Sequence, residues 1–233
     1  VGGVPILLYN LFLLKEHGIR NITVNLHHLP HHLYGILSKA KALGIRLQFS
    51  REKSILGTAG GIAQALRKMK NETTFVLNGD IISDLDLETM FRGHREKRAL
   101  ATLACVGKNR AAVKSFVEYD REGKIFRIAG GPAGKTPPLT QGIFTGAHLL
   151  EPMLLKDYPK NSYGCIVRQV YQPALKAGLV LGAYRHRGEW WDLGDISELK
   201  KVDRLFWSER APAAMDRIWR EVYRWSGPLF YNP

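Results

Sequence analysis

Two carboxylates, each closing an apolar run, carry the most chemistry that this chain displays. Val76-Leu77-Asn78-Gly79-Asp80 ends in a turn and an acid, and Trp190-Trp191-Asp192-Leu193-Gly194-Asp195 does the same further along. In an open α/β sheet, side chains at the carboxyl ends of strands converge on the ligand crevice. Two aspartates there suit a hard divalent cation such as Mg²⁺, which takes oxygen ligands and shares its coordination with substrate phosphates. Asp80 and Asp192 are therefore the candidate metal and catalytic residues, and the substrate class they point to is a phosphate compound.

Other segments have a functional and a structural reading. Leu56-Gly57-Thr58-Ala59-Gly60-Gly61 is a glycine-rich turn opening a helix. Its amides or Thr58 could meet an anion or a base edge at the helix N-terminus, or the glycines could serve only tight helix–strand packing. Asp84 and Asp86 could form a metal-binding Asp-x-Asp, but capping of the helix that follows is the preferred reading. Arg185-His186-Arg187 could hold phosphate oxygens beside Asp192, or the arginines could be surface charges and Trp190 and Trp191 core aromatics. His27, His28, His31 and His32 resemble a zinc cluster only in number. No Cys or acid accompanies them, so a metal is not expected there.

These segments need a scaffold that alternates strands and helices, which predicts a largely parallel sheet covered by helices. Helices are expected over Pro5 to His17, Pro30 to Leu43, Thr58 to Met69, Leu85 to Lys97, Cys165 to Ala177 and Ile196 to Phe206. Strands are expected over Asn21 to Leu26, Ile45 to Phe49, Thr74 to Leu77, Leu100 to Val106 and Leu179 to Arg185. Phe116 to Tyr119 and Lys124 to Ala129 read as a hairpin, and Thr140 to Leu150 as extended. Apolar residues at helical spacing in Ala213 to Trp225 predict a terminal helix that packs back on the domain.

The composition is that of an ordinary globular chain of 233 residues, 45% hydrophobic and 24% charged. The apolar stretch from Pro5 to Leu14 is broken by Tyr9 and Asn10, which excludes a membrane span, and no cleavage site follows it. Cys105 and Cys165 lie in apolar segments without metal-ligand spacing, as thiols of a reducing, cytoplasmic compartment would. A net charge of +13, from 34 basic and 21 acidic residues, favours anionic partners. The basic residues are dispersed rather than clustered, so a nucleic-acid interface is not indicated.

Taken in order, the segments resemble the sugar-phosphate nucleotidyltransferase family (the nucleoside-diphosphate-sugar pyrophosphorylases). Val1-Gly2-Gly3-Val4-Pro5-Ile6-Leu7 is similar to the family's V-x-G-x-P-L segment, and Asn25-Leu26-His27-His28-Leu29 to the element after its second strand. Leu56 to Gly61 resembles the L-x-T-A/G-G-G turn that faces the nucleotide base. Asn78-Gly79-Asp80 and Trp191-Asp192-Leu193-Gly194 resemble the two metal-carboxylate motifs. Phe144-Thr145-Gly146 and its surroundings are most similar to N-acetylmuramate 1-phosphate uridylyltransferases and mannose 1-phosphate guanylyltransferases.

The resemblance implies a Rossmann-like three-layer α/β fold with a mostly parallel mixed sheet. It divides the chain into a nucleotidyltransferase domain over residues 1–208 and a helical tail over residues 209–233. It also implies an activity that joins a nucleoside triphosphate to a sugar 1-phosphate and releases pyrophosphate. Gly57, Thr58, Gly60, Gly61 and Asn78 would then bind the nucleotide, Thr145 and Gly146 the sugar, and Asp80 and Asp192 Mg²⁺. A homo-oligomer is compatible with it, and a membrane partner is not expected.

Three departures stand out. The family's G-x-G-T-R-L-x-P-L-T loop and P-K-P segment, which would precede Val1, are absent, so the fold is expected to lack its first strand and its triphosphate cradle. Gly130-Gly131-Pro132 stands where many relatives have Glu-Lys-Pro, and Ser115 where many have Gly. The missing loop keeps one rival in view, a non-catalytic homologue that binds a nucleotide or nucleotide sugar as a regulatory or assembly subunit. Asp84 and Asp86 suggest another, a metal-dependent glycosyltransferase.

Overall fold

A proline and a glycine bracket the first helix. Pro5 holds the backbone extended (φ −58°, ψ 135°), helix α1 runs over Ile6–Glu16, and Gly18 follows its end at φ +77°. The computed structural model describes residues 1–28, 30, 31, 33, 35, 44–107, 116–130, 137–208 and 210–226. The helix expected over Pro30 to Leu43 lies largely outside the described residues, as do His32, Ser115, Gly131 and Pro132.

Strands β1 (Asn21–Leu26) and β2 (Arg46–Arg51) pair in parallel. Helix α2 (Gly57–Leu66) leads to β3 (Thr74–Leu77) and β4 (Ile81–Ser83), and helix α3 (Leu87–Glu96) to β5 (Ala101–Gly107). The hairpin β6 (Phe116–Tyr119) and β7 (Ile125–Ile128) precedes the long β8 (Thr140–Leu150). A short 3₁₀ turn at Pro152–Leu155, a π-helical turn at Val167–Tyr171 and helix α4 (Gln172–Lys176) follow. Strands β9 (Leu181–Arg185) and β10 (Trp190–Asp192) and helices α5 (Ile196–Trp207) and α6 (Ala213–Ser226) complete the described chain.

The α/β class, the mixed sheet and the covering helices agree with expectation, but the balance of strand directions does not. Among the described pairings only β1–β2 and β5–β9 are parallel. The cause is β8. Its 11 residues return against β5 on one edge and against β6 and then β3 on the other, all antiparallel. One strand long enough for three partners sets the direction of most of the sheet. The composite helix over Cys165 to Ala177 has a local cause. Pro173 lacks the N–H that a regular helix would use, and the chain widens into a π turn just before it.

The period of two on β5 sorts the core into two layers. Ala104 and Val106 join the apolar cluster of α1, α5 and α6, with Leu8, Leu11, Val202, Phe206, Met215 and Ile218. Ala101, Leu103 and Cys105 face the other side, with Ala63, Ile166, Val170 and Tyr171. Helix α6 packs on α1 through its buried Met215, Ile218 and Val222, and the Trp219 indole N–H donates to the Gly2 carbonyl at 3.0 Å.

Candidate functional site

The short strands β4 and β10 form an antiparallel ribbon in which Asp192 lies opposite Ile81, one residue from Asp80. The Leu193 N–H donates to the Asp80 carbonyl at 2.8 Å, which closes the ribbon at this end. Both carboxylates border Gly194. A Cβ there would stand 3.1 Å from Asp80 Oδ2 and 3.3 Å from Asp192 Oδ1. The Gly194 N–H donates to Asp192 Oδ1 at 3.1 Å. Partial burial pushes the Asp80 carboxyl above its ordinary range; its own backbone N–H works against this, and the nearby Asp192 charge adds to the rise.

Two neighbouring carboxylates are a hard-oxygen donor set, and no described group of three acidic, His or Cys ligands accompanies them. That suits a magnesium ion, which keeps water and phosphate oxygens in its remaining positions.

Next to the ribbon, β8 bulges. Its pairing with β5 shifts register between Leu103 and Cys105, and Gly146 adopts φ +84°. The Thr145 hydroxyl is buried in this bulge, donating to the Ala104 carbonyl (3.0 Å) and accepting from the Ala147 N–H (3.2 Å). Thr145 thus shapes the strand, and its hydroxyl is engaged there. Gly146 faces Asn78 so closely that a Cβ would lie 2.6 Å from Asn78 Nδ2, and the Asn78 N–H donates to the Gly146 carbonyl at 3.0 Å. Bulges of this kind re-aim backbone beside functional sites. The buried Asn10 of α1 donates to the Asn78 carbonyl at 3.2 Å, fixing the turn before Asp80 from beneath. A polar residue on an otherwise buried helix face was the signal that marks Asn10. The neighbouring His148 is sealed among Phe144, Tyr171 and apolar groups, and burial pushes its pKa down to about 3, which keeps it neutral.

The glycine turn meets protein on its packed side. A Cβ on Gly57 (φ +66°) would lie 2.5 Å from the Gly164 carbonyl oxygen, and one on Gly60 would lie 2.2 Å from that of Ser162. The Ala59 N–H donates to the Gly164 carbonyl, and Thr58 Oγ1 accepts from the Ile166 N–H, both at 2.8 Å. Thr58 itself remains exposed. Gly61 packs under Glu52, a buried acid that accepts from Asn25 Nδ2 (2.6 Å) and the Leu56 N–H (2.9 Å). Sequence reasoning passed over Glu52; its place between β2 and the turn was the available signal.

The remaining acids have structural partners. Asp86 caps α3, accepting from the Thr89 N–H and hydroxyl at 2.9 and 2.6 Å. Asp84 accepts from the Glu189 N–H at 2.7 Å and lies 3.1 Å from His186 Nε2. The two are therefore held apart from a shared Asp-x-Asp metal site. Asp195 caps α5 through Ser197. Trp190 is buried, its indole N–H donating to the Thr145 carbonyl at 3.0 Å, while Arg185 and Arg187 are exposed. His27, His28 and His31 are exposed and form no described three-ligand group.

An α/β fold with a carboxylate pair at the end of its sheet is the class that these features define. A nucleotidyl transferase family profile matches residues 1–207, and the chain belongs to that family. It is 30% identical over 207 residues to the UTP–glucose-1-phosphate uridylyltransferase of Synechocystis, covering 83% of this chain and 53% of that protein. It is 26% identical over 210 residues to the N-acetylmuramate alpha-1-phosphate uridylyltransferase of Neisseria meningitidis, covering 88% of this chain and 86% of that one. The crystal structure of HddC from Yersinia pseudotuberculosis superposes with a TM-score of 0.70 at 20% identity, over 88% of this chain and 89% of that one, a likeness of fold. The chain spans about half the length of several of the curated relatives it matches, mannose-1-phosphate guanylyltransferases among them.

Proposed function

We propose that this protein transfers a nucleotidyl group from a nucleoside triphosphate to a sugar 1-phosphate, releasing pyrophosphate, in the cytoplasm and in the service of cell-envelope polysaccharide synthesis. The observation that carries the reading is the convergence of Asp80 and Asp192 on Gly194, which sets two carboxylates side by side. A purely nucleotide-sugar-binding homologue has little physical need for such a pair.

Asp80 and Asp192 would hold Mg²⁺, and the bound ion would offset charge on the phosphates. Asn78, held by Gly146 and Asn10, keeps the turn before Asp80 in place. Gly57, Gly60 and Gly61 draw the α2 turn tight against the segment 162–164 and Glu52, and the turn, with Thr58 exposed on it, would lie beside the nucleotide. Gly146 offers backbone to the sugar side, with Thr145 holding the bulge that aims it. The attacking sugar phosphate oxygen is already ionised at neutral pH, so no side chain need remove a proton from it.

The test is pyrophosphate release by the full-length protein across nucleoside triphosphates paired with sugar 1-phosphates. Release is expected to require Mg²⁺ and both substrates. Tight binding of a nucleotide sugar with no release from any pair would instead establish the non-catalytic reading.

A further inference from the structure

We propose that Asp84 and His186 are positioning residues that set the register of the β4–β10 ribbon and thereby hold Asp192 beside Asp80. The inference rests on the reading of those two aspartates as a metal site. Each strand of the ribbon has three residues, paired Trp190–Ser83, Trp191–Ile82 and Asp192–Ile81. So short a ladder specifies its own register weakly, and a slip of one residue would turn Asp192 to the other face.

The end remote from the metal carboxylates is fastened by side chains. Asp84 Oδ1 accepts from the Glu189 N–H at 2.7 Å, and the Asp84 N–H donates back to the Glu189 carbonyl at 3.3 Å. The buried His186 brings Nε2 to 3.1 Å from Asp84 Oδ1, 3.2 Å from Ser83 Oγ and 3.0 Å from the Glu189 carbonyl oxygen. Ser83 Oγ donates to that same carbonyl at 2.8 Å. The His186 backbone N–H in turn donates to the Cys105 carbonyl at 2.8 Å, joining the fastening to the main sheet through β5. The turn must approach closely for this. A Cβ on Gly188 would stand 2.2 Å from Asp84 Oδ1. Asp84 therefore serves the metal site without touching the metal.

The experiment titrates Mn²⁺, a paramagnetic ion that shares the preference of Mg²⁺ for carboxylate and water. Free Mn²⁺ is read by electron paramagnetic resonance in the full chain without nucleotide, whose phosphates would themselves take up the ion, alongside thermal unfolding. Asp84→Ala and His186→Gln are expected to weaken Mn²⁺ binding about tenfold while unfolding stays cooperative, the loss typical when a group orienting a metal ligand is removed. Asp84→Asn, which keeps an oxygen for the Glu189 N–H, should fall between them and wild type, and it serves as the decisive variant if Asp84→Ala fails to fold. A lowered Tm with Mn²⁺ affinity within about twofold of wild type would overturn the proposal, since orientation of the ligands should carry the larger penalty. Asp192→Asn is the control. Lost Mn²⁺ binding there with normal binding in the Asp84 and His186 variants overturns this inference alone. Normal binding in Asp192→Asn overturns the metal reading and the inference with it.

Discussion

The β4–β10 ribbon and the turn that opens α2 use the small size of glycine in opposite ways. At Gly194 the missing side chain leaves room between two carboxylates, and among the described residues no third metal-ligand type completes a group there. At Gly57 and Gly60 the room is filled by the backbone of Ser162 and Gly164. The first arrangement sets two carboxylates side by side; the second satisfies its polar groups internally, through Thr58, Ala59 and Gly164. A glycine-rich motif therefore does not by itself mark where a ligand touches. Two charges of one sign held close together are the more telling sign of chemistry.

The comparison can be broken at several points. Asp192→Asn should lower pyrophosphate-forming turnover about 100-fold or more, the scale of losing one preorganised electrostatic contact to phosphate, with Tm unchanged or higher. Near wild-type turnover in steady-state assays with Mg²⁺ would remove the ribbon from the chemistry. Gly60→Ala should act the other way round, costing about 1–3 kcal/mol of stability through overpacking against a carbonyl that cannot step aside. Denaturant unfolding would show it, and a variant as stable as wild type would mean that the turn is looser than its contacts imply.

Asp86→Ala should cost about 1 kcal/mol by uncapping α3 and leave Mn²⁺ affinity untouched. A loss of metal binding there would revive the Asp-x-Asp alternative. The smallest effect concerns pH. Asp80 has a raised carboxyl pKa in the fold, so its ionisation opposes folding; the associated stability is full below the ordinary carboxylate range and is lost as pH rises through the raised value. Asp80→Asn should then raise the Tm of metal-free protein by roughly 1–2 °C at pH 7 and not at all near pH 3. Calorimetry at the two pH values checks the sign, and destabilisation at pH 7 would refute the raised Asp80 carboxyl.

Much of the scaffold was legible residue by residue. Asn21 to Leu26, Thr74 to Leu77, Phe116 to Tyr119 and Thr140 to Leu150 are strands with the bounds that their patterns indicate. Local alternation and turn chemistry carry that information. The direction of pairing does not lie in any one segment, which is why the antiparallel dominance of β8 was hidden. Strands β4 and β10 escaped notice because three residues are too few to show a period.

Asp80 and Asp192 could be picked out by type and place, but their meeting at Gly194 depends on a pairing that no local pattern reports. Thr145 illustrates the same limit. Its motif marks the region, yet only the bulge shows that its hydroxyl is turned into the strand. Asp84 and His186 were read singly, as cap or phosphate contact, and became a pair only in three dimensions.

The span of chain closed by the ribbon has a consequence for how the protein matures. The Asp84–Glu189 contact joins residues 105 apart, with β5 to β9 strung between them. Contacts of such separation form late, because the entropy of closing the loop is repaid only once the intervening sheet is assembled. A nascent or partly folded chain thus carries two solitary aspartates with no common ion to bind. If the pair holds a cation as proposed, that capacity would arrive with the native state, and a cation binding only there would draw the folding equilibrium toward completion.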